Sequence, residues 1–160
     1  MEIRTATLRD LDMIAAVEAE CFPIAEAADR DTIRDRLIAY GNHFWLLFRD
    51  GELVSFVDGM VTDEPDLKDE MYENTSFHKE DGEWQMIFGV NTIPICRKRG
   101  YAEMLLKKVI ADAKEQGRKG VVLTCKDALI HYYAKFGFVS EGISESVHGN
   151  VVWNQMRLLF

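Results

Sequence analysis

Trp84-Gln85-Met86-Ile87-Phe88-Gly89-Val90-Asn91-Thr92-Ile93-Pro94-Ile95-Cys96-Arg97-Lys98-Arg99-Gly100-Tyr101-Ala102 passes from an apolar run through a basic turn into a periodic segment. Residues 84–92 read as a strand. Beyond the turn, Ala102, Leu105, Leu106, Val109, Ile110 and Ala113 fall on one face of a helix, the clearest in the chain. A helix that starts directly after a strand and a tight turn presents unpaired N–H groups at the positive end of its dipole. Gly100 and Ala102 keep bulky side chains away from that backbone, and Arg97, Lys98 and Arg99 add positive charge. The stretch therefore predicts a site for a phosphate-bearing cofactor.

The rest of the composition narrows the partners. The chain has 160 residues, enough for one domain over 1–160 with a substantial core, and 48% of them are apolar. A net charge of −8 opposes nonspecific nucleic-acid binding and favours a cationic second ligand. The first residues lack a basic segment followed by an apolar run, and the Phe44–Phe48 run is too short to span a bilayer. Cys21, Cys96 and Cys125 are scattered, without disulfide or zinc-site spacing, so no metal is expected and a reduced cytoplasm fits best.

Outward from the opening stretch, the elements alternate. Residues 2–7 read as a strand, and Thr7 with Asp10 resembles a capping box ahead of a helix carrying Leu11, Ile14, Ala15, Glu18, Cys21 and Phe22. Pro23 stops that helix, and a second starts near Asp29 or Asp31 and ends at Gly41-Asn42. Strands over 43–49 and 53–61 flank an Asp50-Gly51 hairpin turn. Residues 62–81 form a long acidic loop with a helical turn near 67–72, of a length that is often functional. A buried strand over 121–125, a short helix over 128–135 and an antiparallel pair over 138–144 and 150–158 follow. The expectation is a mixed α/β sheet of about seven strands with about four helices.

Pro94-x-x-Arg97-x-x-Gly100-x-Ala102, followed by Tyr133-Ala134-Lys135-Phe136-Gly137-Phe138, resembles the GNAT superfamily of acyl-coenzyme A N-acyltransferases over essentially the whole chain. The resemblance implies that fold, mostly antiparallel with a central parallel pair of strands. Leu123-Thr124-Cys125-Lys126-Asp127-Ala128-Leu129, Glu18-x-x-Cys21-Phe22 and Val147-His148-Gly149 are further similar to its arylalkylamine (serotonin) N-acetyltransferase branch.

The resemblance implies that acetyl-coenzyme A is the donor. Arg97, Lys98, Arg99, Gly100, Tyr101 and Ala102 would hold its pyrophosphate, and Val90, Asn91 and Thr92 would pair with its pantetheine arm, with Lys126 nearby. A bulge at Asn91-Thr92 would open room for that arm. Tyr133 is the expected general acid, because a phenol of pKa ~10 keeps its proton at neutral pH and is available to the departing thiolate. Phe22, Met86, Phe88 and Trp153 are expected around the acceptor, a small amine, with the protein a monomer or homodimer.

Met86 and Phe88 stand where the branch carries two histidines, so the proton of the amine takes another route or the enzyme takes the small neutral fraction of the amine. Glu83, His78 and the Asp63-Glu64 pair are the expected candidates, reached through water, while His131 and His148 read as surface or structural. Two alternatives stay open: acetylation of a protein or peptide amine, and a non-catalytic acyl-coenzyme A sensor.

Overall fold

The computed structural model describes residues 1–160. Strand β1 (Glu2–Thr5) reaches Thr7, whose N–H is accepted by the Asp10 carboxylate at 2.9 Å; Arg4 holds the same carboxylate through both of its oxygens. Helix α1 (Leu11–Cys21) follows, and α2 (Arg30–Tyr40) begins where Asp29 accepts the Thr32 N–H at 2.8 Å. The Asp29 side chain caps α2, whereas Asp10 closes a capping box with Thr7 on the single turn at residues 8–10 that leads into α1.

Strands β2 (Phe44–Arg49) and β3 (Glu52–Asp58) form the hairpin, β4 (Val61–Thr62) follows, and β5 (Trp84–Ile87) and β6 (Gly89–Thr92) divide the segment expected as one strand. Then come α3 (Tyr101–Glu115), β7 (Gly120–Cys125), α4 (Ile130–Ala134), β8 (Val139–Ile143) and β9 (Asn154–Leu159). One sheet runs β1-β2-β3-β6 and the other β4-β5-β7-β9-β8; β5 and β7 are the parallel pair, and every other pairing is antiparallel.

Two breaks turn the seven expected strands into nine. The 53–61 strand divides after Asp58, and the 84–92 strand divides at Phe88. The reason is pairing: residues 84–87 follow β7, whereas residues 89–92 follow β3. The Phe88 N–H, at the junction, donates to the Asp58 carbonyl at 2.7 Å. The bulge expected at Asn91-Thr92 is therefore displaced to Phe88; Asn91 and Thr92 stay in regular register with Phe56 and Ser55. Where the sheets part, β6 and β7 diverge.

Helices cover both faces. On β2, Phe44, Leu46 and Phe48 pack toward α1 and α2, while Trp45 and Leu47 pack toward α3. This two-fold alternation between cores explains why β2 reads as a continuous apolar run.

Candidate active site

The basic turn is built as an anion cradle. Lys98 and Gly100 both have positive φ, 63° and 82°, so the chain curls just before α3. A Cβ on Gly100 would meet nothing, so the backbone conformation, not crowding, calls for glycine there. Met104 is the first residue to donate within the helix, to the Gly100 carbonyl at 3.1 Å. No side chain caps α3, and the N–H groups of Tyr101, Ala102 and Glu103 are left for an external acceptor. Arg97, Lys98 and Arg99 are exposed around them, whereas the Tyr101 ring is buried, so only its backbone serves the cradle. Arg97 also donates through Nε to the Thr92 carbonyl at 3.1 Å and so ties the turn to β6. These features fit the pyrophosphate of a coenzyme.

The cradle leads into the cleft between the sheets. The Ile93 N–H donates to Val54 and the Gly89–Thr92 register on β3 is regular, so alternation turns the backbone polar groups of Val90 and Thr92 away from β3. The Thr92 carbonyl is taken by Arg97 and the Cys21 thiol, and the Val90 groups face the cleft. A cavity of about 140 Å³ lies there, lined by Val90, Leu123, Cys125, Lys126, Leu129 and Tyr133 among others. Tyr133 is buried, and burial pushes its phenol well above the usual tyrosine range. A second cavity of about 110 Å³ adjoins it and includes Glu18, Arg36, Tyr72, Gly89 and His148. Phe22, Glu26, Phe88, Thr124 and Trp153 line both cavities and form the wall between them.

The second cavity is assembled from distant segments. The Tyr72 ring stacks on His148 at 4.7 Å and lies 5.0 Å from Phe88, and its hydroxyl is 3.3 Å from the Thr124 hydroxyl. Burial pushes the Tyr72 phenol up to about 12. The His148 Nε2 lies 2.9 Å from the Glu26 carbonyl, an acceptor, so Nε2 carries the proton and Nδ1 is free. Trp153 donates through Nε1 to the His148 carbonyl at 2.7 Å, which holds the indole against the cavity.

Phe22, Phe88 and Trp153 thus meet where the two cavities adjoin. Met86 does not join them: it is fully buried in the core beneath α1 and α2, opposite Val122. Asn91 is fully buried and its side chain faces Glu18 rather than the cleft. Lys126 borders both Trp153 and Glu26, with its amine 2.9 Å from the Glu26 carboxylate.

The expected proton acceptors lie elsewhere. Glu83 pairs with Lys119, Asp63 with Lys79 and Glu64 with Lys68, while His78 accepts the Val61 N–H through Nδ1; none lines either cavity. The loop containing them folds back along β4 and the start of β5, and of its residues only Tyr72 and Glu73 reach the second cavity. Glu18 and His148 are there instead. Glu18 had a legible signal, since it is a carboxylate on the apolar stripe of α1 with Leu11 and Ile14. His148 had its signal in the Val147-His148-Gly149 likeness, and its place in the cavity lining corrects the expectation of a surface or structural residue.

The family model described as "Acetyltransferase (GNAT) family" matches residues 11–138. The chain belongs to this family. As a GNAT protein it is an acetyltransferase, and its two-sheet fold is that of GNAT structures. It is 25% identical to the serotonin N-acetyltransferase of Mesocricetus auratus, over 98% of this chain and 76% of that protein. The structure of the GphF GNAT-like decarboxylase in complex with isobutyryl-CoA superposes with a TM-score of 0.85 at 22% identity, covering 99% of each chain. The ribosomal-protein-S18-alanine N-acetyltransferase of Escherichia coli superposes with a TM-score of 0.74 at 16% identity, covering 99% of this chain and 92% of that one. No helix is long and apolar enough to cross a membrane.

Proposed function

We propose that the protein transfers the acetyl group of acetyl-coenzyme A to the nitrogen of a small arylalkylamine. The observation that carries this reading is the pair of adjoining cavities. One contains Tyr133 and opens beside β6; the other is enclosed by Tyr72, Phe88, His148 and Trp153, and the two share an aromatic wall. Two reactants entering from opposite sides meet at Phe22, Phe88 and Trp153. The aromatic lining suits an acceptor with a ring and a short amine arm. The likeness to serotonin N-acetyltransferase supports the same class.

In this reading the α3 amides and the Arg97–Arg99 side chains hold the pyrophosphate, and the Val90 and Thr92 backbone receives the pantetheine arm. Tyr133 supplies the hydrogen bond to the sulfur as negative charge develops there. A phenol is a weaker acid than a thiol, ~10 against ~8.5, and burial weakens Tyr133 further. Complete proton loss to a free thiolate is therefore uphill on its own, so Tyr133 gives its proton to sulfur in concert with regaining one from the attacking amine.

A second reading, acetylation of a protein amine, is favoured by the acidic trough beside the cavity. Asp66, Asp69, Glu70, Glu141 and Glu145 line it, and the turn carrying Asp69 also carries Tyr72. A basic peptide would suit it.

One experiment separates the readings. Acetyl-coenzyme A is expected to raise the melting temperature by mass action. Thiol release is then followed with tryptamine, 2-phenylethylamine, spermidine and a basic peptide with a free N-terminus. Turnover of the aromatic amines supports the first reading, turnover confined to the peptide supports the second, and no turnover on any of them overturns both.

A further inference from the structure

Beneath the acceptor cavity lies a cluster of charges that does not balance. Arg36 and Asp58 are buried and paired at 3.0 Å, and the remaining guanidinium contacts go to the Tyr72 carbonyl at 2.7 and 3.2 Å. Glu18 is buried beside them, and one of its oxygens accepts the Ala28 N–H at 2.9 Å. The buried cluster therefore holds two carboxylates and one guanidinium, which is ion-paired with Asp58 alone. The Asp58 Oδ1 and both polar atoms of the Asn91 amide have no hydrogen-bond partner. They converge with Glu18 at Gly89: a Cβ there would lie 2.9 Å from the Asn91 Nδ2, 3.1 Å from the Asp58 Oδ1 and 3.6 Å from the Glu18 Oε1. Gly89 lines the cavity, so this niche has the cavity on one side and the unpartnered Asp58 Oδ1, the Glu18 carboxylate and the Asn91 amide on the other.

A buried excess of negative charge with unused acceptors is complementary to a cation. The other ionisable groups bordering the cavity do not offset it: Asp29 and Glu73 are acidic, Glu26 is paired with Lys126, Arg36 is committed to Asp58, and His148 is held by the Glu26 carbonyl. We infer that Glu18 receives the ammonium group of the acceptor and is the catalytic base that takes its proton. The inference rests on the amine-acetylation reading above.

The ammonium gives one proton to the Glu18 carboxylate, and the neutral amine attacks the thioester carbon. The nitrogen–carbon bond forms and the carbon–sulfur bond breaks. A second proton from nitrogen replaces the one Tyr133 gives to sulfur, the third stays on the amide, and Glu18 later returns its proton to water. Burial and the neighbouring Asp58 push Glu18 up to about 7, opposed by the Ala28 N–H and Arg36. A carboxylate poised there is matched to neutral pH.

The test compares the wild type with Glu18→Gln and Glu18→Asp. With 2-phenylethylamine and acetyl-coenzyme A, wild-type kcat/KM is expected to rise with pH through an inflection near 7. Glu18→Gln should fall about 100-fold and lose that inflection, while Glu18→Asp keeps it at reduced rate. The acetyl-coenzyme A melting shift should survive in both variants, which separates loss of chemistry from loss of fold. Glu18→Gln with wild-type kcat/KM and inflection overturns the inference and leaves the acetyltransferase reading intact. If no amine is turned over, that reading falls, and the binding half is decided directly. 2-Phenylethylammonium should raise the wild-type melting temperature at pH 8 and leave Glu18→Gln unmoved; equal shifts, or none in the wild type, overturn it.

Discussion

The donor side and the acceptor side of this site are made in different ways. The donor side is local: a run of six residues, Arg97 to Ala102, sets the backbone curl, the free helix N–H groups and the charge, and its partner Tyr133 belongs to another short motif. The acceptor side is collected from the end of α1, the α1–α2 loop, α2, the 69–72 turn, the β5–β6 junction, β7 and the loop before β9. A cofactor that never changes can be held by backbone geometry written in contiguous sequence. An acceptor is recognised by side chains that only the tertiary fold brings together.

Tyr133→Phe tests the most consequential point of that division, because the proposed mechanism gives Tyr133 to the reaction and not to the grip on the donor. Turnover should fall about 100-fold, the order contributed by a positioned proton donor. The acetyl-coenzyme A melting shift should be unchanged, since the phenol hydroxyl has no other partner within the chain. The rate of the wild type should show no alkaline inflection from this phenol below pH 10, because burial moves it upward. Lost cofactor binding with retained single-turnover chemistry would assign Tyr133 to the cradle instead.

Gly100→Leu probes the cradle itself. The φ of 82° disfavours any side chain by ~1 kcal/mol, and a leucine would also stand over the open N–H groups of α3. Acetyl-coenzyme A affinity should drop at least about tenfold, read by titration, while the Michaelis constant for the amine stays near wild type. Equal losses for both substrates would mean that donor and acceptor sides are less separable than their construction suggests.

The same division explains what could be read in advance. The helices and their caps were legible because Asp10, Asp29 and Gly100 act within a few residues of themselves. The cradle was legible for that reason too. The breaks at Asp58 and Phe88 were not, because a continuous apolar run looks the same whether it feeds one sheet or two; only the competing partners β3 and β7 decide. Met86 and Phe88 alternate along one strand, and analogy placed both at the acceptor. The switch of sheets at Phe88 leaves Met86 in the core and puts Phe88 in the wall between the cavities. Glu18 was visible on the α1 stripe, yet its meaning depends on Asp58, Arg36 and Asn91, which are remote in sequence.

Lys126 lies on the border and sharpens the comparison with the smallest effect. By its motif it belongs to the donor side, and it does line the cavity of Tyr133. Its amine nevertheless pairs with Glu26, whose side chain is 8% exposed against 43% for the lysine, and it stands 5.8 Å from the Trp153 ring. Removing it leaves the Glu26 carboxylate without its counter-charge, while the exposure of the lysine limits the cost to ~1 kcal/mol. Lys126→Ala should therefore change acetyl-coenzyme A affinity by less than about threefold and raise the amine's Michaelis constant more than the donor's, through loosening of Glu26 and Trp153. Lys126→Met keeps the apolar stem against the indole and should recover part of that loss. A variant that instead loses acetyl-coenzyme A affinity, in a manner steeply dependent on salt, would place Lys126 with the phosphates and move the boundary between the two sides to β7.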